Sequence, residues 1–404
     1  MSAETEARIV PGQWIVRLKQ NASSNSQARH MSFVSTRTAD PTPFNCEVHH
    51  EFDLDEARAY SASFDDATKE ELEKTSEVES VEPVQLYRHV SVKTQDKVPW
   101  GLGRISSGAK LPASGPYRYK YNDTSSGKGV IAYVIDTGIN ENHVSFAGRA
   151  TKGPKFVTDP VPGTTTDDND NQGHGTHCAG TIGSKDYGVA KDVEIVGIKV
   201  FNDLPETNRF AGATNADIMA ALDYVVKEFQ RHKQPSVVNL SLGGGISDAL
   251  DNTVAAAVRA GVVVCCAAGN AGPPTWSPKD ASTTSPARTG LAVTVAASDV
   301  TDTLADFSYY GKLVDVIAPG VDILSTWIGP NNTETNTISG TSMACPHVAG
   351  VVSSILSDPK VVDKTPFNVI SELLILSDKN KIGLAPTPTP NRGKTVNALA
   401  QAPL

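Results

Sequence analysis

Short apolar runs, separated by stretches with a helical period, dominate the last two thirds of this chain. Residues 129–135 are mostly apolar and rich in Val and Ile, as strands buried on both faces are. The runs 237–240, 262–268, 292–297 and 314–317 read the same way. Between them, residues 215–230 put Ile218, Met219, Leu222, Val225, Val226 and Phe229 on one helical face, and 248–260 predicts a second helix. The apolar run 348–356 reads as a buried helix, and Thr365-Pro366 opens a last one with a cap and a first-position proline. Strands alternating with helices predict an α/β fold: a doubly wound, mostly parallel sheet with helices on both faces.

The first part of the chain has a different pattern. Residues 9 to about 90 predict a small α+β unit, with a strand at 13–18 after the Pro11-Gly12 turn. Asp65 or Asp66 caps a helix running to about Ser76, with Glu70 and Glu71 in its first turns. A second strand is expected over 77–86, where Pro83 confines it to a sheet edge. The Ser/Asn-rich residues 21–29 read as loop. Residues 91–128 are polar and rich in Gly, Pro and Ser, the composition of a linker and a candidate cleavage zone. This leaves 129–404 as the larger domain, with a Pro/Thr-rich surface tail from Ala385.

Composition sets limits. A chain of 404 residues predicts two domains, and 39% apolar with 20% charged residues is ordinary for a soluble protein. The net charge of −9 argues against nucleic acid or an anionic membrane as partner. The longest apolar run, 262–268, is far too short to span a bilayer. Residues 1–6 have neither the basic start nor the apolar core of a signal peptide, so the protein stays in the cell or its signal has been removed. Cys46, Cys178, Cys265, Cys266 and Cys345 show no metal-type spacing, and an odd number cannot all pair internally. They read as small buried apolar residues.

Three stretches carry chemistry. Ser342 sits in a small-residue turn, Ser339-Gly340-Thr341-Ser342-Met343-Ala344, ahead of the buried helix, with Pro346 near the end of its first turn. The free N–H groups and partial positive charge there favour a negatively charged oxygen, though an ordinary capping serine would look the same. Asp136 ends strand 129–135, at the sheet edge where open α/β folds place their sites, or is a turn aspartate. His174 and His177, three apart at a helix start, are metal ligands with Asp167, Asp168 and Asp170, or part of a tightly packed helix start.

Taken together, the order Asp136…His174…Ser342 and the flanking motifs resemble the subtilisin-like serine protease family, most closely its proteinase K branch. The motifs are Val134-Ile135-Asp136-Thr137-Gly138-Ile139, Gly173-His174-Gly175-Thr176-His177-Cys178-Ala179-Gly180 and the Ser342 turn. Pro11-Gly12-Gln13-Trp14-Ile15-Val16, the helix after Phe64 and Val81-Glu82-Pro83 resemble that family's inhibitory propeptide, so the likeness spans about 9 to 380. It implies Ser342 as nucleophile, His174 as general base and acid, Asp136 as its orienting carboxylate, and His177 as a structural residue. Asn270 and the Ser342 amide would be the oxyanion donors. Ser241, Leu242, Gly243 and Gly244 with Ala267, Ala268 and Gly269 would wall the primary specificity pocket. Neither stretch is charged, so apolar or aromatic side chains are expected before the cut bond, and dibasic processing is disfavoured.

The resemblance further implies a zymogen that removes its own propeptide near Val90, acts on proteins or peptides as a monomer, and needs no cofactor for its chemistry. A structural calcium is expected at Asp315 with the Gly290 and Ala292 carbonyls. A secreted location is expected, with the vacuole as alternative. Asn21, Asn122 and Asn331 begin glycan-acceptor triplets. The chain departs from the branch in three ways: its cysteines lack the usual disulfide partners, Cys178 and Cys345 are expected to touch the site from below, and the loop 202–211 is long. Two rivals make other predictions. A non-catalytic binding module would lack one of Asp136, His174, Asn270 or Ser342, and a peptide ligase or cyclase would pass the acyl group to an amine.

Overall fold

The structure, a computed structural model, describes residues 9–19, 30, 47–54, 57–85, 92–161, 164–272, 279–384 and 395–404. The chain divides into two compact units, Met1–His89 and Val90–Leu404.

The first unit is an antiparallel sheet of four strands, β1 (Ile9–Leu18), β2 (Glu47–Leu54), β3 (Ala57–Ser63) and β4 (Val78–Gln85), in the order β2-β3-β1-β4. Helix α1 (Asp66–Leu72) follows β3 and is capped by Asp65, whose carboxylate accepts from the Thr68 amide at 2.8 Å. Val16, Leu18, Tyr60, Ala62, Phe64, Leu72 and Val78 form the core. As expected, β4 with Pro83 lies at a sheet edge. Three details differ from the sequence reading. The helix ends at Leu72. The first strand runs through Pro11-Gly12, where its register with β4 shifts. The β2–β3 hairpin was not anticipated, because edge strand β2 (EVHHEFDL) has few apolar positions.

The second unit begins with β5 (Val92–Val98), α2 (Trp100–Ile105) and β6 (Tyr117–Asn122), so the linker reading of 91–128 is corrected. A few large side chains outweigh the polar composition there: Leu102, Ile105 and Tyr119 are fully buried. Arg104 is fully buried too, held by Asp302 at 2.7 Å. Then come β7 (Ile131–Asp136), β8 (Ala150–Lys155), α3 (His174–Gly183), β9 (Glu194–Lys199), α4 (Asn215–His232), β10 (Ser236–Leu240), α5 (Asp248–Arg259) and β11 (Val263–Ala267). The chain continues through β12 (Val293–Ser298), β13 (Val316–Pro319), the hairpin β14 (Ile323–Thr326) with β15 (Thr335–Ile338), and α6 (Thr341–Ser357). Helix α7 (Pro366–Leu376), β16 (Asp378–Lys379) and β17 (Ala398–Leu399) finish it.

The central sheet has the order β16-β17-β13-β12-β11-β10-β7-β9-β8, parallel from β17 to β8, with β16 antiparallel at one edge. Both faces are covered, which is why its strands are apolar runs rather than alternating ones. Cys265 belongs to the core on one face with α3 and α6, and its neighbour Cys266 to the core on the other with α4 and α5. β7 lies between β9 and β10, so the chain winds away from it in both directions. Its carboxyl end is therefore a topological switch point, where α/β sheets open a crevice. The tail is also corrected in part: residues 385–394 lie outside those described, but Ala398, Leu399 and Ala400 are fully buried, with Ala398 and Leu399 forming β17 in the sheet.

Candidate active site

Asp136 is the last residue of β7, fully buried, and its Oδ1 accepts from the Thr137 amide at 2.7 Å. The same oxygen accepts from His174 Nδ1–H at 2.8 Å, which leaves Nε2 as the basic nitrogen of the neutral ring. His174 opens α3, and the surrounding glycines allow the close approach. A Cβ on Gly175 would lie 2.2 Å from the Gly138 carbonyl oxygen, and Gly173, at φ 93°, has no room for one beside Trp327.

Asp170 joins the two stretches. Its Oδ1 accepts from Gly173 N–H and Thr137 Oγ1–H, both at 2.8 Å, and its Oδ2 from Thr176 N–H at 2.9 Å and Thr176 Oγ1–H at 2.6 Å. One buried carboxylate thus caps the helix that starts at His174 and ties it to the residue after Asp136. Behind it, Lys199 Nζ donates to the Thr137 carbonyl at 3.0 Å and the Asn169 carbonyl at 2.7 Å, and pairs with Asp203 at 2.7 Å. In the sequence Asp170 stands out only as a metal-ligand candidate. Its position four residues before His174, at a helix start, was the available signal.

Ser342 is the second residue of α6, whose cap is Gly340. Its Oγ donates to the Ser241 carbonyl at 3.1 Å, while Ser241 Oγ donates to the Ser342 carbonyl at 2.8 Å. Cys178 Sγ also reaches that carbonyl, at 3.4 Å, and lies 3.9 Å from His174 Nδ1. The serine and the histidine therefore share a buried thiol beneath them. Asn270 Oδ1 accepts from Thr341 N–H at 2.8 Å and Thr341 Oγ1–H at 3.0 Å. Both partners donate, so that atom is the carbonyl oxygen and Nδ2 remains as a donor. Thr341 was not singled out in the sequence.

Electrostatics separates the two histidines. Burial alone would lower the pKa of His174, but the adjacent Asp136 carboxylate outweighs it and holds the ring well above the ordinary imidazole value. His177 is pushed down to about 4 by burial, and its Nε2–H donates to the Ile323 carbonyl at 2.9 Å. It is a neutral packing residue against Trp327. The metal reading of His174 and His177 does not fit this geometry. Asp170 is spent on the helix cap, Asp168 lies 3.4 Å from Lys155, and Asp167 binds the Asn169 amide and the Asn171 side chain. Burial raises the Cys178 thiol, and Cys178, Cys265, Cys266 and Cys345 are free and buried as expected. Cys46 lies outside the described residues.

An open cleft of about 470 Å³ reaches Ser342 and Asn270. Of the expected wall residues, Leu242, Gly243, Gly244, Ala267 and Gly269 line it. Ser241 instead exchanges hydrogen bonds with Ser342, and Ala268 faces the core beside Leu304 and Tyr310. The expectation of an uncharged pocket needs correction, because folding brings Lys279 to the cleft with Thr283, Thr284 and Tyr309. These lie beyond both stretches and could not be read from them. Loop 202–211 is closed at its base by Asn202, whose amide donates to the Gly212 carbonyl at 3.0 Å. It leads to Ala211 and Gly212 beside a second cleft that shares Leu242–Gly245. Asp315 Oδ2 accepts from the Thr294 amide at 2.8 Å. Its other oxygen takes no hydrogen bond from a described residue, which fits a cation ligand, although Asp315 belongs to no cluster of three or more His, Cys, Asp or Glu ligands among the described residues.

Residues 127–383 match the model of the subtilase family, and residues 13–89 that of peptidase inhibitor I9. The subtilisin-like proteinase Mp1 of Magnaporthiopsis poae is 41% identical over 355 residues, covering 85% of this chain and 82% of that protein. Alkaline protease 1 of Aspergillus clavatus is 41% identical over 353 residues, with the same coverage. Among solved structures, a cold adapted subtilisin-like serine proteinase is similar at TM-score 0.63 and 39% identity, over 76% of this chain and 99% of that one. These relatives favour hydrolysis over the ligase reading. The chain belongs to the subtilase family, as a serine endopeptidase preceded by an inhibitor I9 domain.

Proposed function

We propose that Ser342 is the nucleophile of this endopeptidase, with His174 as general base, Asp136 as its orienting carboxylate, and Asn270 with the Ser342 amide as oxyanion donors. The 2.8 Å bond from His174 to buried Asp136 carries this reading, because it fixes the ring with Nε2 free to accept a proton. Ser342 Oγ turns from the Ser241 carbonyl toward His174 and attacks the substrate carbonyl as Nε2 takes its proton. The oxyanion that forms is met by Asn270 Nδ2, held in place by Thr341, and by the free N–H at the start of α6. The imidazolium then protonates the leaving amine, and an acyl-enzyme on Ser342 remains. Water, deprotonated by His174, releases the acid and restores the serine. Ser342→Ala should abolish turnover of a chromogenic peptide in folded protein. Retained burst labelling by a fluorophosphonate in that variant would show another nucleophile.

The Gly-walled cleft supports a preference for Phe, Leu or Tyr before the cut bond, each adding roughly 1.5–3 kcal/mol when its side chain is buried. A peptide with Phe there should be cut one to two decades faster than its Arg counterpart. The I9 domain supports synthesis as a zymogen whose propeptide inhibits the protease within the same chain, with self-cleavage near Val90, a residue outside those described. The likeness to alkaline proteases supports secretion, with the vacuole as alternative. No helix of the described residues is long and apolar enough to cross a membrane. Of the glycan triplets, Asn331 is exposed and Asn122 is buried with its Oδ1 bound to Thr124, so Asn331 is the acceptor on this reading, while Asn21 lies outside the described residues. The protein acts as a monomer. A calcium ion held by Asp315 and neighbouring carbonyls would stabilise the fold without entering the chemistry. Chelation should lower the melting temperature, and Asp315→Asn should remove that response.

A further inference from the structure

The cleft beside Ser342 pairs a wall that carries no charge with an unneutralised cation. Lys279 lines it and is exposed, and its ammonium pairs with no carboxylate among the described residues. The carboxylate next in sequence is committed elsewhere, and so are two at the start of α5, the helix that follows the Leu242–Gly245 wall. Asp280 Oδ1 caps the turn at Ser282, at 3.0 Å, and the same carboxylate fills the space beside Gly311. Asp248 and Asp251 both bind Arg288, at 2.5 and 2.7 Å. None of the described lining residues is Asp or Glu. The backbone holds Lys279 in place relative to the pocket wall. Its carbonyl accepts from Tyr310 N–H at 3.2 Å, the amide of neighbouring Tyr309 donates to the Gly269 carbonyl at 2.9 Å, and the Tyr309 ring packs over Gly269. Thr284 Oγ1 donates to the Gly244 carbonyl at 2.6 Å and ties the opposite wall to the same floor.

We propose that Lys279 is a specificity-determining residue that extends the pocket to acidic side chains. A glutamate before the cut bond lays its two methylenes along the glycine and alanine walls and brings its carboxylate toward the ammonium. Its neutral isostere, glutamine, lacks that attraction, and arginine meets a like charge. This rests on reading the cleft as the primary pocket, and it adds glutamate to the apolar set proposed above. At the dielectric of a partly exposed cleft the attraction corresponds to about a three- to tenfold preference, and it is sensitive to salt because the Debye length falls to about 3 Å at 1 M.

The test uses four peptides that differ only in the residue before the cut bond: Phe, Glu, Gln and Arg. The ratio of kcat/KM for Glu over Gln is read within each enzyme, so it does not depend on how much of a variant is folded. The mature wild-type protease should give a ratio of about three to ten in low salt, falling toward one at 1 M. Lys279→Met should bring the ratio to one or below at low salt, Lys279→Arg should keep it, and Lys279→Glu should invert it and raise cleavage after Arg. A wild-type ratio at or below one, or a ratio that Lys279→Met leaves unmoved, overturns the proposal. Cleavage at Phe separates the two readings. If wild type does not cut after Phe, the pocket assignment fails. If it does, and only the Glu over Gln ratio is insensitive to Lys279, the assignment stands and the role of Lys279 fails.

Discussion

Thr341 holds the Asn270 carbonyl oxygen with two donors from a single residue, so the amide nitrogen is aimed before any substrate arrives. Removing one preorganised oxyanion donor costs on the order of 10²–10³ in kcat, and Asn270→Ala should show that loss with KM little changed. Thr341→Val keeps one of the two bonds, so its loss should be smaller, about tenfold, and fall on kcat in the same way. A fall in binding alone would contradict the assignment. The pH dependence follows from His174, whose pKa stands well above the ordinary value. The base must be neutral, so the acid limb of kcat/KM should have its midpoint above about 6.5. For stability the sign is opposite. The charged pair with Asp136 contributes fully below the unfolded imidazole pKa and fades as pH rises through the folded value. Asp136→Asn removes the largest influence that opposes burial and should move the activity midpoint down. At this scale the sequence was highly legible for Asp136, His174, Ser342 and Asn270, because each sits in a motif whose local backbone it needs. Asp170 lies four residues before His174 and Thr341 within the Ser342 motif, but their bonds to Thr137 and Asn270 exist only after folding, and Lys279 comes from a loop outside every motif.

At the level of elements, α3 depends on one carboxylate. Asp170 satisfies four donors at the start of the helix, the amides of Gln172, Gly173 and Thr176 and the Thr176 hydroxyl, and one on Thr137. Losing a cap and leaving buried donors unpaired should cost about 2–4 kcal/mol. Asp170→Ala should therefore lower the denaturation midpoint and also kcat, since His174 is the first residue of the same helix. Asp170→Asn replaces one accepting oxygen with a donor and should recover part of the stability. If kcat were unchanged while stability fell, Asp170 would be a cap without influence on His174. Helices α4, α5 and α7 were read from sequence because their apolar period or caps are strong. Strand β8 (ATKGPK) was missed because it is a polar edge strand, and β9 because EIVGIK is too short to show a period.

In the whole molecule, maturation and the buried Arg104 bear on the same segment. If the chain cuts itself near Val90, the segment starting at β5 becomes the new terminus of the protease and must stay docked without the propeptide. Arg104 gives the reason that it does. Its guanidinium is fully buried, bidentate to Asp302 at 2.7 and 3.2 Å, and also bonded to the Ser107 carbonyl at 2.6 Å. Removing one partner of such a pair leaves an uncompensated buried charge, at about 3–5 kcal/mol. Arg104→Ala should thus lower the melting temperature of the mature protease and expose residues 92–105 to proteolysis. The cut itself needs the nucleophile, whereas folding does not. Wild type should separate into fragments of about 90 and about 310 residues, while Ser342→Ala folds and stays at 404. Intact mass after expression in a host without other proteases reads both. If the alanine variant is cut at the same bond, then either Ser342 is not the nucleophile or another enzyme does the processing. Adding purified wild-type protease to the uncut variant then shows whether that bond can also be cut between molecules.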